Sequence, residues 1–162
     1  MRRTTLATIC IVLALGAGAG LGACSDLREY RGEWHGSRLG GAPALVVGGA
    51  ADARATLAID ALDPHGLHGQ LSVDGVIAAA AVDSLPGAEA DALSGLTFAG
   101  SPLRVYLAFV DASDGGGQAL AVIALFEDRR VEVRLLRGGT SPLYAVFALA
   151  EDAPGAGGSG SS

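Results

Sequence analysis

Three histidines are the first residues in this sequence whose type could support metal or acid-base chemistry. His65 and His68 have the spacing H-x-x-H, and His35 lies far from them in the chain. On an extended strand, positions three apart point to opposite faces, and neither a cysteine nor a well-placed carboxylate completes a closed set of ligands. The sequence therefore predicts solvent-exposed histidines and no metal site.

A second candidate is the segment 111–117, which combines two carboxylates with a run of glycines. A calcium loop needs oxygen ligands at several alternating positions and a terminal bidentate glutamate, which this segment does not supply. The pattern predicts a solvent-exposed hairpin loop.

Nucleophilic catalysis would need a serine in a sharp turn together with a histidine and an acid. The sequence has no G-x-S-x-G motif, and Ser37 has only the nearby His35 as a partner. Glu127 and Asp128 are adjacent carboxylates in a predicted turn, where such side chains usually face solvent. We therefore predict that the protein is not an enzyme and has no catalytic residues.

Cys24 carries a stronger chemical prediction, because it ends a three-part segment at the start of the chain. Arg2 and Arg3 precede an apolar stretch over 6–15, and small residues follow up to Cys24, an arrangement typical of a secretory signal peptide. The residues at 21–24 read LGAC and resemble the lipobox of bacterial lipoprotein precursors. The resemblance covers residues 1–24 only.

This resemblance implies cleavage before Cys24, a diacylglycerol on its thiol, and a fatty acyl group such as palmitate on the new amino terminus. Two or more acyl chains anchor a protein stably, at about 0.8 kcal/mol per buried CH₂, so no transmembrane helix is needed. We expect no cofactor other than these acyl groups. Cys10 would be removed with the signal, which leaves no disulfide to stabilise the remaining chain. Two alternatives stay open: an uncleaved membrane anchor over 6–23, and export by the twin-arginine route instead of the general secretory route.

Charge limits the partners of the protein. The formal net charge is −6, and loss of Arg2 and Arg3 with the signal makes the remainder more acidic still. An acidic domain repels nucleic-acid phosphates and anionic lipid headgroups, so we predict no nucleic-acid partner and a membrane contact through the lipid anchor. Because Ser25 follows Cys24 where an aspartate would retain the protein in the inner membrane, sorting to the outer membrane is expected in a Gram-negative host.

Alternation of apolar and polar residues dominates the chain after residue 28. In LHGQLSV at 67–73 the leucines and Val73 alternate with polar residues, as in a half-buried strand, and the following Asp74 and Gly75 are a strong hairpin-turn signal. Similar segments give about eight to ten short strands. They lie at 29–36, 42–47, 54–60, 67–73, 76–82, 96–100, 102–110, 118–126, 130–137 and 142–150.

This pattern predicts an all-β domain, either a small antiparallel up-and-down barrel or a β-sandwich. Some of its strands, such as those at 118–126 and 142–150, are apolar on both faces. Their outer faces either pack on another surface or expose small alanine side chains to water. The predicted organisation is a signal peptide at 1–23, a lipidated tether at 24–28, the β domain at 29–152 and a disordered Gly/Ser tail at 153–162.

Tyr30, Gly32 and Trp34 share one face of the first predicted strand, and Trp34 is the only tryptophan in the chain. A glycine two residues before a tryptophan on a first strand resembles the lipocalin and wider calycin pattern, in which the tryptophan fills the closed end of a barrel. The resemblance implies ligand-binding roles for Trp34 and Tyr30, and an arginine, Arg134 or Arg137, stacked on the indole. A core tryptophan without any ligand is the alternative.

The sequence thus favours two functions for a lipid-anchored, non-catalytic lipoprotein of the cell envelope. In the first, a calycin-like barrel binds a small apolar ligand, for which many inward-facing alanines would leave volume. In the second, a structural or assembly lipoprotein docks an envelope protein through its apolar strand faces.

Overall fold

A computed structural model of the chain describes residues 27–39, 52–85, 97–140 and 142–151. A short 3₁₀ helix at Leu27–Tyr30 precedes eight β-strands, and the predicted all-β class is confirmed. The strands are β1 (Gly32–Arg38), β2 (Arg54–Leu62), β3 (Leu67–Val73), β4 (Ile77–Asp83), β5 (Arg104–Asp111), β6 (Gln118–Leu125), β7 (Val131–Arg137) and β8 (Leu143–Glu151).

All eight strands belong to one antiparallel sheet with the order β4-β3-β2-β1-β8-β7-β6-β5. The first and last strands pair at the middle of this order, with Gly36 opposite Leu149. Because the two edge strands, β4 and β5, also contact each other, the sheet forms a nearly closed barrel and not a sandwich. The opening lies between β4 and β5, which we call the seam. Two backbone hydrogen bonds bridge it, from Leu85 N–H to Leu107 O at 2.7 Å and from Ser113 N–H to Val76 O at 2.8 Å.

Alternation along the strands explains the core. The inward-facing side chains of all eight strands form a single hydrophobic cluster in which Trp34, Leu57 and Leu71 have no exposed surface. Polar residues such as Arg54, Asp60 and Gln70 take exposed positions. The predicted turns fall where the strands reverse, and Gly75 in the β3–β4 turn has a φ of 73° that suits glycine.

For the strands that are apolar on two faces, the outer face was expected either to expose small alanines or to pack on another surface. Both arrangements occur, on different strands. Ala79 and Ala81 of β4 are exposed, as small side chains on a solvated face. By contrast, Val122 and Ala124 of β6 are buried although they lie outside the interior cluster. Other parts of the chain therefore cover the outer face of the sheet at Val122 and Ala124.

Part of that cover is the segment 97–103, and one strand prediction is wrong there. Residues 97–100 of the predicted strand at 96–100 are irregular. The carbonyls of Thr97 and Ala99 accept hydrogen bonds from Arg134 and Arg130 at 2.6 and 2.9 Å. Arg134 of β7 and Arg130, which directly precedes β7, thus satisfy backbone groups that a strand would have paired in a ladder.

The predicted strand at 42–47, the tail at 153–162 and the signal peptide at 1–23 lie outside the described residues. Within the described ranges, no helix has the length and hydrophobicity needed to cross a membrane.

Candidate functional site

Trp34 and Tyr30 meet at one end of the barrel, which we call the closed end. The two rings stack with centroids 5.7 Å apart and an interplanar angle of 18°. The Trp34 Nε1–H donates a hydrogen bond to the Tyr30 carbonyl at 2.8 Å, and the Tyr30 hydroxyl donates to the Phe126 carbonyl. Burial raises the pKa of the Tyr30 hydroxyl, which therefore stays protonated as a donor at neutral pH.

Gly32 explains how the chain enters this end. Its φ is 127°, a conformation that side chains rarely adopt, and nothing lies within contact distance of a Cβ built there. Backbone conformation rather than lack of space therefore requires glycine. The bend at Gly32 lets the 3₁₀ helix Leu27–Tyr30 turn across the barrel end while Trp34 projects inward.

Arg129 ties the closed end together, and the sequence analysis did not single it out. Its guanidinium donates to the Glu29 carbonyl at 3.1 Å and to the Glu151 carboxylate at 2.5 Å. The β6–β7 turn, the 3₁₀ helix and the end of β8 are thereby joined. In the sequence, only the charged turn EDRR at 127–130 indicates that an ion pair could form near Arg129.

The two arginines proposed as partners of Trp34 are engaged elsewhere. The Arg134 guanidinium lies over the Phe98 ring, 4.3 Å from its centroid, and Arg134 Nε donates to Glu132 at 2.6 Å on the outer face of β7. Arg137 lies at the far end of β7, opposite the closed end. Whether Trp34 and Tyr30 contact a ligand stays a prediction.

Arg137 and Asp114 close the other end of the barrel with an ion pair, which we call the clasp. Both carboxylate oxygens of Asp114 accept hydrogen bonds from the guanidinium at 2.8 Å. The Arg137 side chain is only 5% exposed. Its bidentate bond lowers the pKa of the Asp114 carboxyl to about 2 and raises the pKa of Arg137.

The clasp holds the β5–β6 turn over this end. The backbone N–H of Gly116 donates to Asp114 Oδ1 at 2.9 Å, and Ser113 donates to the Val76 carbonyl through both its N–H and its hydroxyl. A Cβ at Gly116 would collide with the Arg137 guanidinium. The segment 111–117 is thus a hairpin loop, as predicted, but Asp114 is bound to an arginine instead of being free in solvent.

Small side chains line the interior below the clasp. Ala108 of β5 lies opposite Ala121 of β6, Ala121 lies opposite Leu135 of β7, and Leu135 lies opposite Ala145 of β8. The three alanines belong to the buried interior cluster. Ala108 and Ala121 have no accessible surface, so this alanine row puts short side chains at the centre of a closed interior.

The histidines lie on polar surfaces. His68 Nδ1 lies 2.8 Å from Asp83 Oδ1 across the β3–β4 pair, and this His68 side chain is 58% exposed. His35 Nδ1 lies 3.1 Å from Thr56 Oγ1, beside a polar hollow of about 590 Å³ that Ser37 and Arg54 also line. Among the described residues, no three His, Cys, Asp or Glu side chains are grouped to hold a metal ion.

An apolar row crosses the outside of the barrel near the clasped end. Phe109, Leu120, Leu136 and Tyr144 are consecutive register partners on β5, β6, β7 and β8. Phe109 is 56% exposed. A groove of about 560 Å³ beside it is lined by Leu120, Leu136, Arg137, Gly138, Pro142, Leu143 and Tyr144. We call the four register partners the outer row, and the hollow beside them the outer groove.

Comparisons with known proteins add no relative. The sequence matches no protein-family model, and neither a curated protein nor a solved structure matches it. Cys24, the predicted lipidation site, lies outside the described residues. The geometry of the barrel and the resemblance at 21–24 therefore carry the functional argument.

Proposed function

We propose that this chain is a lipid-anchored, non-catalytic lipoprotein of the cell envelope, which binds a small apolar molecule inside its barrel. The observation that carries the proposal is the alanine row beneath the clasp. An eight-stranded barrel has an interior that side chains fill or that holds one small ligand. Alanines at Ala108, Ala121 and Ala145 favour the second outcome, because they replace side chains that would occupy the centre.

The clasp provides a route for exchange. Trp34, Tyr30 and the 3₁₀ helix close one end through buried contacts. At the other end, the β5–β6 turn is held by one ion pair and by hydrogen bonds from Ser113. Breaking these bonds exposes the interior at a lower cost than unpacking Trp34, so ligand enters and leaves at the clasped end.

The lipid anchor fits this orientation. Cys24 lies three residues before Leu27, where the 3₁₀ helix begins at the closed end. Acylation of Cys24 would place the closed end next to the membrane and direct the clasped end away from it. Ser25 after Cys24 favours the outer membrane, and the acyl groups on Cys24 are the only cofactor in this proposal.

A fluorescence titration tests the ligand site. Trp34 is the sole tryptophan, so energy transfer from its indole to the apolar dye 1-anilinonaphthalene-8-sulfonate reports dye bound to the protein, and variants distinguish an interior site from the outer row. Saturable transfer is expected in the parent chain and in Phe109→Ser, which changes only the outer row. Ala121→Leu, which fills the interior, should abolish it. Transfer that survives Ala121→Leu and disappears in Phe109→Ser contradicts an interior site.

Replacement of Cys24 by Ser tests the anchor separately. The parent chain should fractionate with envelope membranes, and Cys24→Ser should be released by the same wash. Membrane association that persists in Cys24→Ser contradicts lipidation but leaves the ligand test unaffected.

A second candidate function is docking of an envelope protein through apolar strand faces. The outer row favours it, because Phe109 is a large apolar side chain on a strand at the edge of the seam and is more than half exposed. Leu120, Leu136 and Tyr144 are partly exposed beside it and extend it to a contiguous apolar patch. Such patches are common at interaction sites.

A further inference from the structure

The polar hollow beside His35 gathers side chains from three neighbouring strands. Ser37 of β1 is the register partner of Arg54, the first residue of β2, and His35 is the partner of Thr56. Asp74 directly follows β3 and completes the first of these rows, because it exchanges backbone bonds with Arg54. All five side chains line one space of about 590 Å³, a volume in the range of small-molecule sites.

Arg54 and Asp74 bring opposite charges to the polar hollow without neutralising each other. The Arg54 N–H donates to Asp74 Oδ2, and the Asp74 N–H donates to the Arg54 carbonyl, both at 3.0 Å. Within the described ranges, no carboxylate lies within ion-pair distance of the Arg54 guanidinium. The hollow therefore offers a charged donor next to a carboxylate whose Oδ1 is left to accept.

The remaining lining of the polar hollow consists of hydroxyl groups and small residues. Thr56 Oγ1 lies 3.1 Å from His35 Nδ1, and the Ser37 side chain is exposed. On the other side of β1, the register partners of Ser37 and His35 are alanines of β8, so that strand adds only methyl groups to this surface. This surface lacks the apolar walls that an apolar ligand needs, so it suits a polar ligand.

We propose that the polar hollow binds a saccharide, with Arg54 and Asp74 bonded to neighbouring hydroxyl groups of one sugar ring. A hydroxyl both donates and accepts, so one can accept from the guanidinium while the next donates to the carboxylate. An anionic ligand would meet the Asp74 carboxylate and the formal net charge of −6, whereas a neutral sugar is not repelled. The site lies on the outer face of the sheet, so it is independent of a ligand inside the barrel.

The position of the polar hollow fits an extended ligand outside the protein. Ser37 lies near the end of β1, and Asp74 lies at the start of the β3–β4 turn. The Val76 carbonyl of the same turn accepts the bonds from Ser113, so the hollow lies toward the clasped end. If Cys24 is lipidated as proposed, this end points away from the membrane, toward the polysaccharides of the envelope. Only this orientation rests on the proposed anchor.

An oligosaccharide array tests the site. The full chain, extracted in detergent, is applied to immobilised neutral and acidic oligosaccharides, and the affinity for the best ligand is measured by calorimetry. We expect the parent chain to bind a neutral oligosaccharide. Arg54→Ala and Asp74→Asn should each weaken that binding about tenfold or more. Asp74→Asn keeps an oxygen for the Arg54 N–H, and both side chains are exposed, so the melting temperatures should stay close to that of the parent.

Matched variants locate the binding. Arg104→Ala and Asp60→Asn remove an exposed arginine and an exposed aspartate elsewhere on the barrel and should leave saccharide affinity unchanged. Ala121→Leu, which removes the interior ligand in the proposed function, should leave it unchanged too, so the two sites can fail separately. The proposal is overturned if the parent binds no oligosaccharide, if it binds acidic ones alone, or if Arg54→Ala and Asp74→Asn bind as tightly as the parent.

Discussion

The indole Nε1–H of Trp34 donates a hydrogen bond to the carbonyl of Tyr30 at 2.8 Å, and the two rings stack in the core. A helical turn and a strand are thereby joined by both a polar and an apolar contact. Neither residue has an unsatisfied buried polar group, since the Tyr30 hydroxyl bonds to the β6–β7 turn. This pair fills the closed end of the barrel with buried, hydrogen-bonded aromatic rings.

Substitutions at Trp34 should measure how much this pair stabilises the fold. Trp34→Phe removes the donor to the Tyr30 carbonyl and should lower the free energy of unfolding by about 1–3 kcal/mol. Trp34→Ala also leaves a cavity and should cost about 3–5 kcal/mol. Urea unfolding provides the values. Phe109→Ala, at an exposed aromatic, is the matched control and should change the free energy of unfolding by about 0.5 kcal/mol or less. If Trp34→Phe costs no more than this control, the hydrogen bond from Trp34 to Tyr30 does not stabilise the fold.

The clasp predicts a defined dependence of stability on pH. The pKa of the Asp114 carboxyl is about 2 in the folded protein, below the value of about 3.9 expected in the unfolded chain. The unfolded state therefore binds a proton first, so the contribution of Asp114 is complete above the unfolded pKa and is lost as the pH falls toward 2.

Asp114→Asn checks this dependence. The variant should be less stable than the parent at neutral pH, and the difference should shrink as the pH falls from about 4 to about 2. Denaturant midpoints across that range are the measurement. Asp60→Asn, at an exposed carboxylate on β2, is the control. A difference between parent and Asp114→Asn that does not change with pH would show that the ion pair does not form.

Gly116 should be required for the clasp. A methyl group at this position collides with the Arg137 guanidinium, so Gly116→Ala should weaken the bidentate bond to Asp114. We expect a lower melting temperature and a double variant with Asp114→Asn that is little worse than either single variant. Gly138→Ala provides the comparison, because nothing lies near a Cβ there. Additive effects of Gly116→Ala and Asp114→Asn would argue against a shared interaction.

Interior volume can be tested by filling it. If the alanine row borders space for a ligand, Ala121→Leu should leave the free energy of unfolding unchanged or raise it. In a core that is already full, the added carbons would cost about 1–3 kcal/mol. Thermal unfolding without ligand decides between these outcomes. Gly36→Ala is the control for a site without room, because its Cβ would collide with the Ala148 carbonyl, and it should lower the melting temperature.

Much of this architecture could be predicted because period-two alternation is a local property of the sequence. It places the eight described strands and their turns, and a glycine before Trp34 indicates the bend that Gly32 makes. The prediction for residues 97–100 was wrong because their composition resembles that of a strand. In the fold, Arg130 and Arg134, more than 30 residues later in the chain, donate to the carbonyls of Ala99 and Thr97 instead. Such pairings depend on tertiary structure, and no local pattern encodes them.

The clasp and the outer row escaped prediction for the same reason. Asp114 lies in the β5–β6 turn and Arg137 at the end of β7, and the pairing of β6 with β7 brings the two side chains together. The sequence predicts a solvent-exposed loop at 111–117, and only the folded barrel brings Arg137 to the carboxylate of Asp114. Phe109 and Tyr144 likewise align through three successive strand pairings.

Native mass spectrometry of the chain purified from its envelope tests the central claim most directly. We expect the parent chain to carry a noncovalent small molecule in addition to the acyl groups on Cys24, and Ala121→Leu, purified in parallel, to have lost it. A parent chain that shows only its acylated mass, with the same result for Ala121→Leu, would contradict a ligand-binding barrel.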